Sequence, residues 1–432
     1  MVNRRKNWTL VCTSFLIGFL VLVTLGGCGG NDTSDTSQTS QATESSSTTE
    51  ASTGSSAEST PLKVGILASY TNITPEQSRM VTEGAELAFD EANREAGGRA
   101  IEVIKEDTEF DPSVGLTKLR RLVEEEQVDF VIGPISSGVA MAIKDYVSNQ
   151  DVTLIVPCAF TRQLTTPENA IENIFRVVET TDQGNYPMGE WIFNNTQHRN
   201  IVLAAQDYAA GHDSVDAFRA GFEKAGGKIV GEVYTPIGTM DYASYMGDLD
   251  VEGADATYVF YGGTDAVGFV QQYDEFGVKE NQPLYGYTSI ADDPYLPSMG
   301  EAAVGVVSST VYSPSLDTPE NRAFVEAYSG AYDEAPSHYS EYGYVAGQMI
   351  LAVVDSLNGD LGSASNVSNE IMQIASDIVT PSGPLAFDEY RQRIVTERVQ
   401  KVEMGEDGQV QNVVFDTIGE VAQEDVWGWA NQ

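Results

Sequence analysis

Basic residues are scarce in this chain of 432 residues: 24 lysines and arginines stand against 64 aspartates and glutamates, which gives a formal net charge of −40. Nucleic-acid binding depends on basic patches that neutralise phosphates, so this balance excludes a nucleic-acid partner. The acidic residues are spread over the whole body rather than gathered in one tail. Because such a surface repels itself unless salt screens it, we expect a halophilic source rather than an acidic ligand-binding function.

Cysteine and histidine are almost as rare, with three residues of each. Cys12 and Cys28 lie near the N-terminus, which leaves Cys158 alone in the body and no pair for an intramolecular disulfide. A cysteine nucleophile needs a nearby base, and none of the histidines has a protease-like context. The chain also lacks a metal-binding cluster, a phosphate loop and a cofactor fingerprint. We therefore predict that the protein is not an enzyme and has no catalytic residue, no metal and no cofactor. A hydrolase is the weaker alternative. Cys158 is interpreted as a packed, inert thiol.

Long apolar runs are absent except at 9–24, which follows the basic residues Arg4, Arg5 and Lys6. This run is shorter than the roughly 20 residues of a membrane span and is typical of a signal peptide. It ends in the sequence LGGC at 25–28, which resembles a lipobox. We predict a lipoprotein signal peptide at 1–28 and lipidation of Cys28, which would anchor the protein to the outer face of the cell membrane. An uncleaved anchor or an incidental cysteine is the alternative, and Sec or twin-arginine export stays open.

Residues 29–60 contain hardly any bulky apolar side chain and no lysine or arginine. Such a segment cannot bury enough surface to offset chain entropy, so we predict a disordered Ser/Thr-rich tether. As a flexible coil it would span about 30 Å. A folded body on this tether could still reach a partner in the membrane.

From residue 62 onwards, short apolar runs alternate with helical patterns. The run at 63–67 predicts a buried strand, and the run at 128–132 predicts another before a Gly-Pro pair. The alternation begins again at residue 201, which predicts two doubly wound α/β lobes built on parallel sheets, with a cleft between them. Two long helices are predicted at 321–332 and 342–357, and an antiparallel region at 385–415 with its turn at 403–408.

Several motifs follow one another in a specific order along the chain: EGAELA at 83–88, VIGPISSG at 131–138, DYAAG at 207–211, YGGTDA at 261–266 and TPENRAF at 318–324. Together they resemble the leucine/isoleucine/valine-binding type of periplasmic binding protein over nearly all of 61–430. The resemblance implies the type I fold with a three-strand hinge, one lobe at 61–182 plus 312–380 and the other at 183–311 plus 381–430. It also implies a monomer that binds a small molecule and delivers it to the permease subunits of an ABC importer. Some relatives sense ligands instead, so a receptor that signals to a partner is the alternative.

The candidate anion site lies where the strand ending at 132 runs into a helix. Free backbone N–H groups at a helix start attract anions, and the Ser136 and Ser137 hydroxyls next to Gly138 add donors. We predict that a ligand carboxylate binds here, with a plain helix cap as the alternative. The resemblance adds Ala159, Phe160 and Thr161 from the next strand end.

The resemblance also implies where the rest of the ligand lies. Tyr70 would form the near wall, and the second lobe would close over the ligand with Asp207, Tyr208, Tyr261 and Thr288. Asp207 would pair with a ligand ammonium or cap the next helix. Relatives that bind α-amino acids often carry a carboxylate after the strand near residue 285, where this chain has GYTS at 286–289. The ligand therefore stays open between a branched-chain or other amino acid, an aromatic acid and an amide.

Overall fold

The computed structural model describes residues 60–427, so the predicted signal peptide, nearly all of the predicted tether and Cys28 lie outside the described residues. Within this part of the chain no helix is both long enough and apolar enough to cross a membrane. The body contains two large β-sheets, each covered by helices on both faces, and one small two-stranded sheet.

The first sheet has strand order β2-β3-β1-β4-β5-β6, and its strands run parallel except for the β2–β3 hairpin. The apolar run predicted at 63–67 is the central strand, buried because helices cover both its faces. The elements of this part are β1 Leu62–Ala68, α1 Pro75–Glu91, β2 Glu95–Ala96, β3 Arg99–Asp107, α2 Pro112–Arg120, β4 Phe130–Ile132, α3 Ser137–Val147, β5 Thr153–Val156 and β6 Ile174–Arg176.

The second sheet begins with parallel strands in the order β8-β7-β9-β10-β11. Tyrosine and phenylalanine rings make up much of the core on either side of it. Its elements are α4 Thr181–Asn195, β7 Asn200–Gln206, α5 Ala209–Ala225, β8 Lys228–Thr235, α6 Ala243–Leu249, β9 Ala256–Phe260, α7 Gly263–Glu275, β10 Leu284–Tyr287, α8 Leu296–Met299 and β11 Val307–Thr310.

The chain then returns to the first lobe with α9 Pro319–Tyr332, α10 His338–Ser356, α11 Ala364–Ile374, β12 Val379–Thr380 and β13 Gly383–Pro384. Helix α10 packs closely on α1 because glycines line the contact. A Cβ atom on Gly84 would lie 2.0 Å from the carbonyl oxygen of Ser340, and one on Gly343 would lie 2.0 Å from that of Val81. Only glycine allows the two backbones to approach this closely.

The last strands, β14 Val395–Met404 and β15 Val410–Val421, form a long antiparallel hairpin before α12 Gln423–Trp427. Strand β14 pairs antiparallel with β11 and so extends the second sheet, whereas Gln392 still bridges to Arg176 of the first sheet. The predicted two-lobed α/β fold is confirmed, with both sheets mixed because hairpins extend their edges. The residue-level lobe bounds stay a prediction.

Candidate functional site

The loops after β4 and β5 meet at the start of α3. Ser136 caps this helix, its Oγ accepting the Val139 N–H at 3.4 Å. The Oγ of Ser137 accepts the N–H of Thr161 at 3.3 Å and so joins the two loops. Within residues 60–427 the N–H groups of Ser137 and Gly138 have no hydrogen-bond acceptor. The structure thus brings together most of the first-lobe residues predicted for the carboxylate, and it leaves donors at a helix N-terminus.

A row of aromatic rings crosses from the first lobe to the second. Phe160 packs edge-on against Tyr287 at the end of β10, with ring centroids 6.2 Å apart. Tyr287 stacks on Phe260 at 5.9 Å, and Phe260 lies 6.5 Å from the ring of Tyr208. Phe160 and Tyr208 were predicted, whereas Phe260 and Tyr287 were not. Together the four rings form a continuous apolar row between the lobes.

The other predicted residues have varied surroundings. Tyr70 is half-buried, its hydroxyl lies 2.7 Å from the hydroxyl of Thr82, and burial raises its pKa to about 12. The exposed Asp207 carboxylate lies 2.8 Å from Nε2 of His212. The remaining three residues, Tyr261, Thr288 and Ala159, are buried. Tyr261 stacks on Phe269 in the core of the second lobe, Thr288 accepts a hydrogen bond from Thr310, and Ala159 is fully buried.

One pair that sequence reasoning missed joins the lobes directly. Nδ1 of His338, at the start of α10, lies 3.4 Å from Oδ1 of Asp292, in the loop after β10. The two side chains are 2 % and 3 % exposed. Burial lowers the pKa of His338 to about 3, and burial together with Asp293 raises the pKa of Asp292. The two residues lie far apart in the chain, so no local pattern marks them as partners.

Cys158, in the loop after β5, is 1 % exposed. Burial raises the pKa of its thiol well above the usual value, and the Glu179 and Asp292 carboxylates add to the effect. A reactive cysteine requires the thiolate, which this environment disfavours. The packed, inert thiol predicted from the sequence agrees with this burial.

Two open depressions of about 510 Å³ and about 500 Å³ lie around the β2–β3 hairpin and the end of α10. They are at the amino end of β3, opposite the strand ends that carry the predicted site. Ligands of open parallel sheets bind at the carboxyl ends of the strands, so we assign no function to these depressions. Among residues 60–427, no three His, Cys, Asp or Glu side chains cluster in a way that would hold a metal ion.

Comparison with known proteins gives a consistent result. A family model described as periplasmic binding protein matches residues 61–409. A Leu/Ile/Val-binding protein homolog 6 from Brucella melitensis is 25% identical over 369 residues, covering 84% of this chain and 93% of its own. An ABC transporter substrate-binding protein from Sphaerobacter thermophilus has 33% identity and a TM-score of 0.80, covering 83% of this chain and 98% of its own. A solute-binding protein from R. palustris in complex with benzoate has 25% identity and a TM-score of 0.76, and the match covers 84% of this chain and 98% of that protein. These relatives are solute-binding proteins and not enzymes.

Proposed function

Because this chain belongs to the periplasmic binding protein family, we propose that it is the extracytoplasmic solute-binding component of an ABC importer. In this proposal a small carboxylate-bearing solute binds between the two lobes, and its contacts with both favour the closed state. The permease subunits then recognise that closed form. Lipidated Cys28 holds the protein at the outer face of the membrane.

The observation that carries this proposal is the N-terminus of α3. Ser136 and Ser137 follow a buried strand, and the N–H groups of Ser137 and Gly138 lack acceptors within the described chain. The hydrogen bond from Thr161 to Ser137 brings the next loop to the same point. A carboxylate bound there would satisfy these donors and interact favourably with the helix dipole.

The aromatic row favours an aromatic acid over an α-amino acid. The rings of Phe160, Tyr287, Phe260 and Tyr208 suit a flat apolar ligand body. An amino acid would also need an anion for its ammonium group, and Asp207 is already engaged by His212. The structural neighbour from R. palustris in complex with benzoate supports the same ligand class.

Binding tests this function directly. Native mass spectrometry of protein purified in high salt is expected to show a co-purified small acid. Isothermal titration is expected to show binding of benzoate or 4-hydroxybenzoate, and weaker binding of isoleucine. Failure of all three acids to bind would contradict the proposal.

A charge reversal at the helix start gives the sharper test. Aspartate is also a good helix cap, so Ser136→Asp keeps α3 capped while it repels a carboxylate, and affinity is expected to fall by about tenfold or more. Ser363→Asp is the matched control, because Ser363 caps α11 away from the cleft through its bond from Asn366. Unchanged affinity in Ser136→Asp would exclude α3 as the anion site.

A further inference from the structure

Arg176 ends β6 with a fully buried side chain. Its Nη1 donates to the carbonyl oxygen of Ala159 at 3.0 Å and to that of Thr161. Within residues 60–427 the guanidinium group forms no ion pair, because all of its acceptors are neutral. The remaining acceptors are Thr165 Oγ1, Gln392 Oε1 and Gln423 Oε1, the last at 3.1 Å.

This guanidinium is a buried and unpaired positive charge. Burial lowers the pKa of Arg176 to about 9, while the more distant Asp388, Asp182 and Glu179 carboxylates raise it, so the group stays protonated at neutral pH. The neighbouring Arg162, by contrast, lies 3.0 Å from Asp182. A buried charge is destabilising unless an opposite charge or a set of dipoles compensates it, and here neutral oxygen atoms supply the dipoles.

The hydrogen bonds of Arg176 also orient the loop at 159–161. In a trans peptide the N–H group points away from the carbonyl group. Because the Ala159 carbonyl faces the guanidinium, the N–H of Phe160 faces the other way, and it has no acceptor within the described chain. The Thr161 N–H is held by Ser137 at the start of α3. The free N–H of Phe160 therefore lies in the loop that adjoins the free donors of the helix.

We propose that Arg176 is the buried counter-charge for the ligand carboxylate and acts through the 159–161 loop without touching the ligand. This inference rests on the proposed function, since it assumes a carboxylate at the start of α3. The guanidinium polarises the peptide groups that it binds, which strengthens their outward N–H donors. Because the guanidinium lies behind this loop, its charge would favour an anion over a neutral ligand at the outward N–H groups.

Arg176 is thus a positioning residue, and it has a signature that a purely structural residue lacks. Loss of a structural support lowers the affinity for every ligand of the cleft to a similar extent. Loss of a counter-charge lowers the affinity for an anion and leaves the affinity for its neutral isostere unchanged. The ratio of the affinities for 4-hydroxybenzoate and 4-hydroxybenzamide measures this difference.

Gln423→Glu is the most direct test, because it places a carboxylate beside the guanidinium without changing side-chain size. This substitution neutralises the local charge, so the acid-to-amide affinity ratio is expected to fall by about tenfold. Gln282→Glu is the matched control: it adds the same charge at a buried glutamine of the second lobe that hydrogen-bonds Thr257. The acid-to-amide affinity ratio of Gln282→Glu is expected to match that of the wild-type protein.

Arg176→Met is the second variant, and its ratio is expected to fall in the same way. An equal loss of acid and amide affinity in either variant, or an unchanged ratio in Gln423→Glu, would assign Arg176 a structural role and leave the proposed function intact. If wild-type protein binds neither aromatic probe, isoleucine and isoleucinamide replace them. Failure of every acid to bind would overturn the proposed function, and this inference with it.

Discussion

The hydroxyl group of Tyr287, at the end of β10, donates a hydrogen bond to the buried carboxylate of Glu179, in the segment between β6 and α4. The hydroxyl of Tyr342 in α10 donates to both oxygens of the same carboxylate, at 2.9 Å and 2.8 Å. Glu179 therefore connects the second sheet to the helix layer of the first lobe. The ring of Tyr287 belongs to the aromatic row, so this contact links ligand binding to the lobe connection.

Replacing Tyr287 by phenylalanine is expected to weaken ligand binding. The change keeps the ring and removes one donor to a carboxylate that has no access to water, at a cost of about 1–3 kcal/mol. Because Tyr287 lies in the second lobe, we expect that cost to fall on the closed state and the dissociation constant of the bound acid to rise by roughly tenfold in isothermal titration.

Tyr342→Phe is the control for this experiment, because Tyr342 bonds Glu179 from within the first lobe. It is expected to lower the unfolding temperature and leave affinity nearly unchanged. Equal losses of affinity in the two variants would show that the Tyr287 hydroxyl has no specific role in closure. Small-angle scattering of the ligand-free proteins would report the same difference as a larger radius of gyration for Tyr287→Phe alone.

Acid is expected to destabilise the wild-type protein relative to a His338→Gln variant. The pKa of His338 is lowered to about 3 in the folded chain, against about 6.5 in the unfolded chain, so the unfolded state binds more protons between these values. The contribution of His338 is therefore complete above pH 6.5 and is lost as the pH falls. Asp292, whose pKa is raised, acts in the opposite direction and is present in both proteins, so the difference between them reports His338 together with its contact to Asp292.

Chemical denaturation at several pH values would measure this difference. The free energy of unfolding of wild-type protein minus that of His338→Gln is expected to fall by about 1.4 kcal/mol per pH unit below pH 6.5. A difference that stays constant down to pH 4.5 would show that His338 titrates normally and that its contact with Asp292 is not buried in solution.

Salt is expected to stabilise the fold by screening its negative surface. With 64 acidic and 24 basic residues, repulsion is strong when the Debye length is about 10 Å at 0.1 M salt and weak when it is about 3 Å at 1 M. The thermal unfolding midpoint is expected to rise steadily over this range. Potassium chloride and potassium sulfate at equal ionic strength are expected to act alike, whereas a much larger effect of sulfate would point to exclusion of the salt from the surface instead.

Local sequence patterns were sufficient for most of the fold. The run at 63–67 became β1, and the turn predicted at 403–408 overlaps the connection between β14 and β15, which covers 405–409. Helix α4 was not predicted, because it contains Pro187 in its interior and buried polar residues in place of an apolar stripe. Some of its polar residues have partners elsewhere in the chain, such as Gln183, whose Nε2 donates to the carbonyl oxygens of Arg393 and Val421.

Only the part of the candidate site that is formed by consecutive residues could be predicted from the sequence. The start of α3 is a strand end followed by a helix start, and both features are visible in a few consecutive residues. The contact between His338 and Asp292 exists only because two lobes meet, so no spacing in the sequence reveals it. Tyr261 and Phe260 differ by one position, and that step sends one ring into the core and the other toward the cleft.

The glycine contact between α1 and α10 has a mechanical consequence. Sliding one of these helices along the other would drive side chains into backbone at Gly84 and Gly343, where even a methyl group does not fit. The two helices therefore cannot move by shear and must rotate as one block. The part of the first lobe that this helix pair forms would therefore present a constant outline to a docking surface whether or not solute is bound.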